Sequence, residues 1–96
     1  MNKQERADLV RDQYNAGLQN GTATGQIIIK QFPDGFSRDV ARKIRVITDG
    51  ARDHVLSALT NGGVEKKYWK PFAKGFNKGL SDTYLAYANE CALRAK

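Results

Sequence analysis

The chain has 96 residues, with sixteen Lys and Arg against ten Asp and Glu, a net charge of +6 with His54 neutral. A domain of this length buries roughly two thirds of the surface its unfolded chain exposes, so one core forms without disulfides or metal. A single cysteine, Cys91, and a single histidine, His54, exclude an internal disulfide and a four-ligand zinc site of Cys and His. No 18-residue apolar run exists and the first six residues lack the apolar stretch of a secretory signal. The expectation is a soluble, untargeted, cytoplasmic protein without a membrane partner.

Apolar spacing is helical nearly throughout. Ala7, Val10, Tyr14 and Leu18 recur at steps of three and four, which predicts a first helix over about 2–19, stopped by Asn20-Gly21. Ile27-Ile28-Ile29 favour a strand by propensity, but a lone strand in a helical chain has no partner, so 26–32 is read as a short second helical element. Pro33-Asp34-Gly35 is a turn: fixed φ at the proline, local side-chain bonding at the aspartate, permissive φ at the glycine. Ser37 then caps a long helix, about 37–60, whose stripe of Val40, Ile44, Ile47, Ala51 and Val55 stays in register across Gly50. After Gly62-Gly63 another stripe runs through Trp69, Phe72, Phe76, Leu80, Tyr84, Tyr87 and Cys91. Proline is tolerated in a first turn, so Pro71 predicts a start near Lys70, about 70–94, with a separate turn over 65–69. The predicted fold is a single all-α domain over 1–96, a small bundle dominated by the antiparallel pair 37–60 and 70–94.

The charge is not spread evenly. Residues 38–78 hold ten basic and four acidic side chains and the rest of the chain six of each, so the whole surplus lies in the middle. At about 100° per residue Arg38, Arg42, Arg45 and Arg52 fall within an arc of about 80°, nearly opposite the apolar stripe. Asp49 lies in that arc and pairs with Arg45 or Arg52. Lys67, Lys70, Lys74 and Lys78 share a similar arc on the last helix, with Lys67 included only if the helix extends across Pro71. The two long helices thus each carry a basic rail. Charged helix faces are commonly just solvated, but two rails holding nearly all the surplus fit a polyanionic partner, nucleic acid or nucleoprotein, through phosphate contacts. Arginine would bind phosphate or a base edge through its fork, lysine as a point charge.

Residues 26–32, the turn and Ser37–Thr48 have the outline of a helix-turn-helix, but the turn is long, isoleucine stands where a small residue is usual, and the second helix runs on too far. Trp69, Phe72 and Phe76 are core by position; Tyr68, off their arc among lysines, is the stacking candidate for an unpaired base. Gly75 and Gly79 cost helix stability, so a crossing helix from this chain or from a second copy should approach there. Leu56 projects into the arginine arc and Leu85 into the lysine arc, which marks a protein contact and makes a homodimer a hypothesis.

A catalytic site is not supported. His54 and Ser57 are three apart, but Asp53 points about 100° away from His54 and cannot orient its ring, and His54 reads as a half-buried side chain bordering the stripe. Asp49 and Asp53 have arginines rather than a metal beside them, and no phosphate-binding glycine loop occurs. The expected function is non-catalytic, without cofactor or metal: binding of a polyanion through Arg38, Arg42, Arg45, Arg52, Lys67, Lys70, Lys74 and Lys78. The alternative is a protein-binding inhibitor or adaptor, of the kind mobile elements carry, that occupies an acidic or nucleic-acid-binding surface of a larger assembly.

Overall fold

A computed structural model of the chain describes residues 2–63 and 65–94, with every side chain there except that of Tyr68. Three helices account for nearly all of it: α1 (Lys3–Ile29), α2 (Arg38–Asn61) and α3 (Lys66–Arg94). The fold is an all-α helical bundle.

α1 starts where Asn2 caps it, its side chain accepting the Glu5 N–H at 2.8 Å. The expected stop at Asn20-Gly21 does not occur, and the short element expected over 26–32 is the last turn of α1 continued into a short link. The reason lies on α3. Gly17, Gly21 and Gly25, each four apart, are buried, and a Cβ on Gly17 or Gly21 would run into the main-chain carbonyl of Phe72 or Phe76. Gly75 and Gly79 face back: their missing side chains leave room for the backbone at Tyr14 and Leu18, and at Leu18 and Thr22. Each glycine costs its helix about 1 kcal/mol in propensity. The offset is backbone-to-backbone packing, in which the hydrogen that replaces the side chain at Gly17, Gly21, Gly75 and Gly79 points at a carbonyl of the other helix, the weak Cα–H···O geometry of close helix pairs; Gly25 meets the Thr83 side chain instead. The pairs Gly17 with Phe72, Gly21 with Phe76 and Gly25 with Thr83 advance together, so α1 and α3 run parallel. The tightest packing in the molecule is therefore this pair, and not the predicted pair of the second and third long helices.

The triple isoleucine resolves helically. Successive residues point about 100° apart, so Ile28 is buried, Ile29 half-buried and Ile27 exposed. Gly35 then takes φ +122 in open space, a conformation rather than a tight fit requiring glycine.

α2 is capped by Ser37, whose hydroxyl accepts the Val40 N–H at 3.1 Å, and runs unbroken across Gly50. It lies antiparallel to α3: Thr48 hydrogen-bonds the Tyr84 hydroxyl at 2.6 Å, and Arg52 reaches Asn77. α3 begins at Lys66, one turn before the predicted start, and residues 66–69 form its first turn rather than a separate one. Pro71 therefore stands inside α3, beyond the first turn in which proline is freely tolerated, and the helix continues through it with one donor fewer.

The molecule measures 54 × 26 × 15 Å, a slab too thin to enclose many side chains. Phe76 and Leu80 are fully buried, and Ile28, Ile44 and Tyr87 form a cluster backed by Phe32, Val40, Ile47 and Tyr84. The Tyr87 hydroxyl donates to the Phe32 carbonyl and its ring meets Phe36 edge-on at 5.8 Å, which ties the α1–α2 link to α3.

Candidate polyanion-binding surface

The position of the two basic sets follows from which sides of α2 and α3 are already occupied. On α3, Phe72 faces α1, and Ala73, Tyr84 and Asn77, which face α2, lie about 100–140° round the helix from it. Continuing in the same sense, Lys70 follows at about 160°, Lys74 at about 200°, Lys67 at about 220° and Lys78 at about 240°. On α2, Arg52 lies about 40° beyond Thr48 on the side of the seam away from α1, Arg45 about 20° further, then Arg38 and Arg42. Both rotations pass through the Arg52–Asn77 hydrogen bond of 2.8 Å. The arginine and lysine faces therefore flank the same outer edge of the α2–α3 seam, with α1 behind it.

Local carboxylates neutralise some of these cations. Asp49 lies 3.7 Å from Arg52, Asp82 3.0 Å from Lys78 and Glu65 3.4 Å from Lys67. The hydrogen bond and charge of Asp82 hold the Lys78 ammonium above the usual lysine range. Asp49 takes Arg52 rather than Arg45. Arg38, Arg42, Arg45, Lys70 and Lys74 have no carboxylate within 4.0 Å among the described residues and all are exposed.

The lysine face also borders a feature that the sequence pattern does not disclose. Between the amino-terminal halves of α1 and α3 runs a groove of about 650 Å³, floored by Val10, Tyr14 and Pro71 and rimmed by Arg11, Lys67, Lys70 and Lys74. Arg11 is itself paired with Asp8 at 3.2 Å and, more loosely, with Asp12 at 3.8 Å. Its sequence signal is its position: four residues after Ala7 and three before Tyr14, it sits beside the apolar stripe of α1. By spacing alone that stripe is core, and the net-neutral segment 1–37 offers no reason to look there for a basic site.

The other candidate residues take varied places. Gly75 and Gly79 lie against α1 of the same chain. Leu85 is 62% exposed and Leu56 37%, both on the outer side of the seam. The stacking role expected of Tyr68 lies outside the described residues, because its side chain is not among them. His54 is exposed rather than half-buried, and among the described residues no hydrogen bond joins it to Ser57. Among the described residues no three His, Cys, Asp or Glu side chains gather where they could hold a metal, and no helix is long and apolar enough to cross a membrane.

Comparison of the chain with protein-family models, with curated proteins and with solved structures finds no match.

Proposed function

We propose that the protein is a non-catalytic binding module for a polyanion, a nucleic acid or nucleoprotein, engaged along the outer edge of the α2–α3 seam. The observation that carries this reading is the set of five exposed cations without a carboxylate partner, Arg38, Arg42, Arg45, Lys70 and Lys74, on faces that flank one edge. Cations unpaired among the described residues, such as Lys3, Arg6 and Lys30, are ordinary on a solvated surface; what favours a partner here is that the five lie on faces flanking one edge. Each phosphate they contact releases counterions, an affinity that is independent of sequence and falls steeply with salt. Arg52 and Lys78, held by Asn77 and Asp82, serve as fixed supporting charges rather than free ligands.

Exposed Leu85 and Leu56 among these cations favour a second reading, an inhibitor or adaptor that docks on an acidic protein surface or forms a homodimer through the same face. Titration of labelled duplex and single-stranded DNA and RNA against rising salt separates the two. The first reading expects affinity to drop by about three orders of magnitude or more between low and physiological salt. It also expects Arg42→Glu with Arg45→Glu to abolish binding while the helical signal and melting temperature persist. Absence of nucleic-acid binding at low salt overturns it. A nuclease-resistant stoichiometric protein partner lost in the same double variant supports the second, and a concentration-independent monomer mass in light scattering removes the dimer.

A further inference from the structure

We infer that the groove between the amino-terminal halves of α1 and α3 is a subsite for single-stranded nucleic acid, with an unstacked base on the Val10, Tyr14 and Pro71 floor and phosphates on Lys70 and Lys74. The inference rests on the polyanion reading above and names the form of polymer that the lysine side selects. A groove with an apolar floor and a cationic rim suits a ligand that carries an exposed flat apolar face and anionic groups within one residue's reach of each other. A single strand is such a ligand. A duplex is not: its bases are stacked inside, it presents only backbone to the rim, and the floor contributes nothing to holding it.

Three details support this occupant over an acidic peptide. Three of the four rim cations are lysines, point charges that accept a phosphate from many directions, whereas carboxylate recognition is best served by the arginine fork. The one arginine, Arg11, is already taken by Asp8 and Asp12. Lys70 and Lys74, four apart on one face, rise about 6 Å along α3, a ladder that can follow a backbone past the groove toward Lys78. Tyr14 supplies the aromatic ring at the floor, half-buried, on a stretch of α1 backbone held by its close approach to Gly75. The floor is open as well, with Val10 48% exposed.

The experiment is fluorescence anisotropy at low salt with labelled oligothymidylate and with the same strand in duplex, on wild type and on Tyr14→Ala, Tyr14→Phe, Val10→Glu and Lys70→Glu/Lys74→Glu. Base stacking is worth about 1–3 kcal/mol, so Tyr14→Ala weakens single-strand binding by about fivefold to a hundredfold and leaves duplex binding unchanged, while Tyr14→Phe retains it. Val10→Glu puts a better helix former at a half-exposed position and a carboxylate on the floor, so even if Tyr14→Ala proves unstable by circular dichroism it weakens single-strand binding, and by more than duplex binding, which loses only the charge beside Lys70 and Lys74. The lysine double variant weakens both forms. Single-strand binding untouched by Val10→Glu and by a folded Tyr14→Ala overturns the subsite while leaving the polyanion reading intact; absence of binding to either form removes that reading as well. Displacement of the oligonucleotide by polyglutamate at equal concentration of charge, with the same dependence on Tyr14, reassigns the groove to an acidic peptide.

Discussion

Replacing Gly21 by alanine sets two effects of opposite sign against each other, and the structure decides which wins. In an exposed helix interior the exchange gains about 1 kcal/mol, because alanine loses less backbone entropy. At Gly21 the added methyl would meet the Phe76 main chain, with the carbonyl carbon at 2.8 Å and Cα at 2.9 Å. No rotamer change can relieve a clash with backbone, so α1 and α3 must separate locally. Overpacking of that kind costs about 1–3 kcal/mol, and occasionally more, and the same separation loosens the neighbouring approaches at Gly17, Gly75 and Gly79. Because the clash is with backbone, the upper end of that range applies, and set against the gain of about 1 kcal/mol it leaves a net loss of about 2 kcal/mol, a fall in melting temperature of about 8–16 °C for a chain of this size. Gly50, in the middle of α2 with nothing within 4 Å of where a Cβ would stand, is the internal control. Gly50→Ala should raise the melting temperature by about 4–8 °C. Gly25 should fall between them, since its neighbour at 3.0 Å is the Thr83 side chain, which can shift at the expense of its hydrogen bond to the Gly79 carbonyl. The assay is thermal unfolding by far-UV circular dichroism. A Gly21→Ala protein stabilised as much as Gly50→Ala would refute the backbone-contact account of the α1–α3 pair.

Two further perturbations test smaller parts of the fold. Tyr84 is raised above the ordinary tyrosine range by burial, opposed by its Thr48 bond and by Arg52; its protonated form is favoured in the folded state, so that share of stability is complete below the unfolded value of about 10 and is lost as pH rises past it. Urea melts across the alkaline range should show that decline in wild type and a flatter profile in Tyr84→Phe, which is also less stable at neutral pH by about 1–3 kcal/mol because buried Thr48 loses its partner. Ser37→Ala removes the acceptor of the Val40 N–H and should cost about 1 kcal/mol in the same melts, with Ser37→Asp restoring it.

The helical class, the cap at Ser37 and the run of α2 across Gly50 are legible in the sequence because each depends on local spacing and chemistry. The length of α1 is not. Glycine ends helices by local propensity, and Asn20-Gly21 reads as a stop in isolation; only the backbone of α3 on the other side turns Gly17, Gly21 and Gly25 into a contact surface. The same four-residue spacing marks Gly75 and Gly79, and only the two sets taken together pair α1 with α3. The basic faces are legible as arcs on single helices, since an arc needs only the 3.6-residue repeat. Their common orientation is not, because it depends on which side of each helix its neighbours occupy, information carried by contacts such as Arg52 with Asn77. The groove is least legible of all: half of it belongs to a segment of the chain with no surplus charge.

The three helices are not held equally, and this bears on how the two basic faces present themselves. α1 and α3 meet backbone to backbone, while α2 is attached mainly through side chains: the Ile44 cluster, the Thr48–Tyr84 and Arg52–Asn77 bonds, and contacts around Phe76. The lysine groove therefore sits on the rigid pair and the arginine face on the more weakly held helix. Opening free energies within one domain range from near zero to the global value, and an element attached by few contacts opens first. Native-state hydrogen exchange should then show the amides of the middle turns of α2, around Ile44 to Ala51, exchanging through a sub-global opening while those of α1 from Gly17 to Gly25 exchange only with global unfolding. Asn77→Ala, which removes the Arg52 bond at an exposed site, should widen that difference by about 1 kcal/mol without altering protection in α1. Equal protection in the two helices would mean that α2 is fixed as firmly as the glycine-packed pair, and that the arginine and lysine faces form one rigid surface.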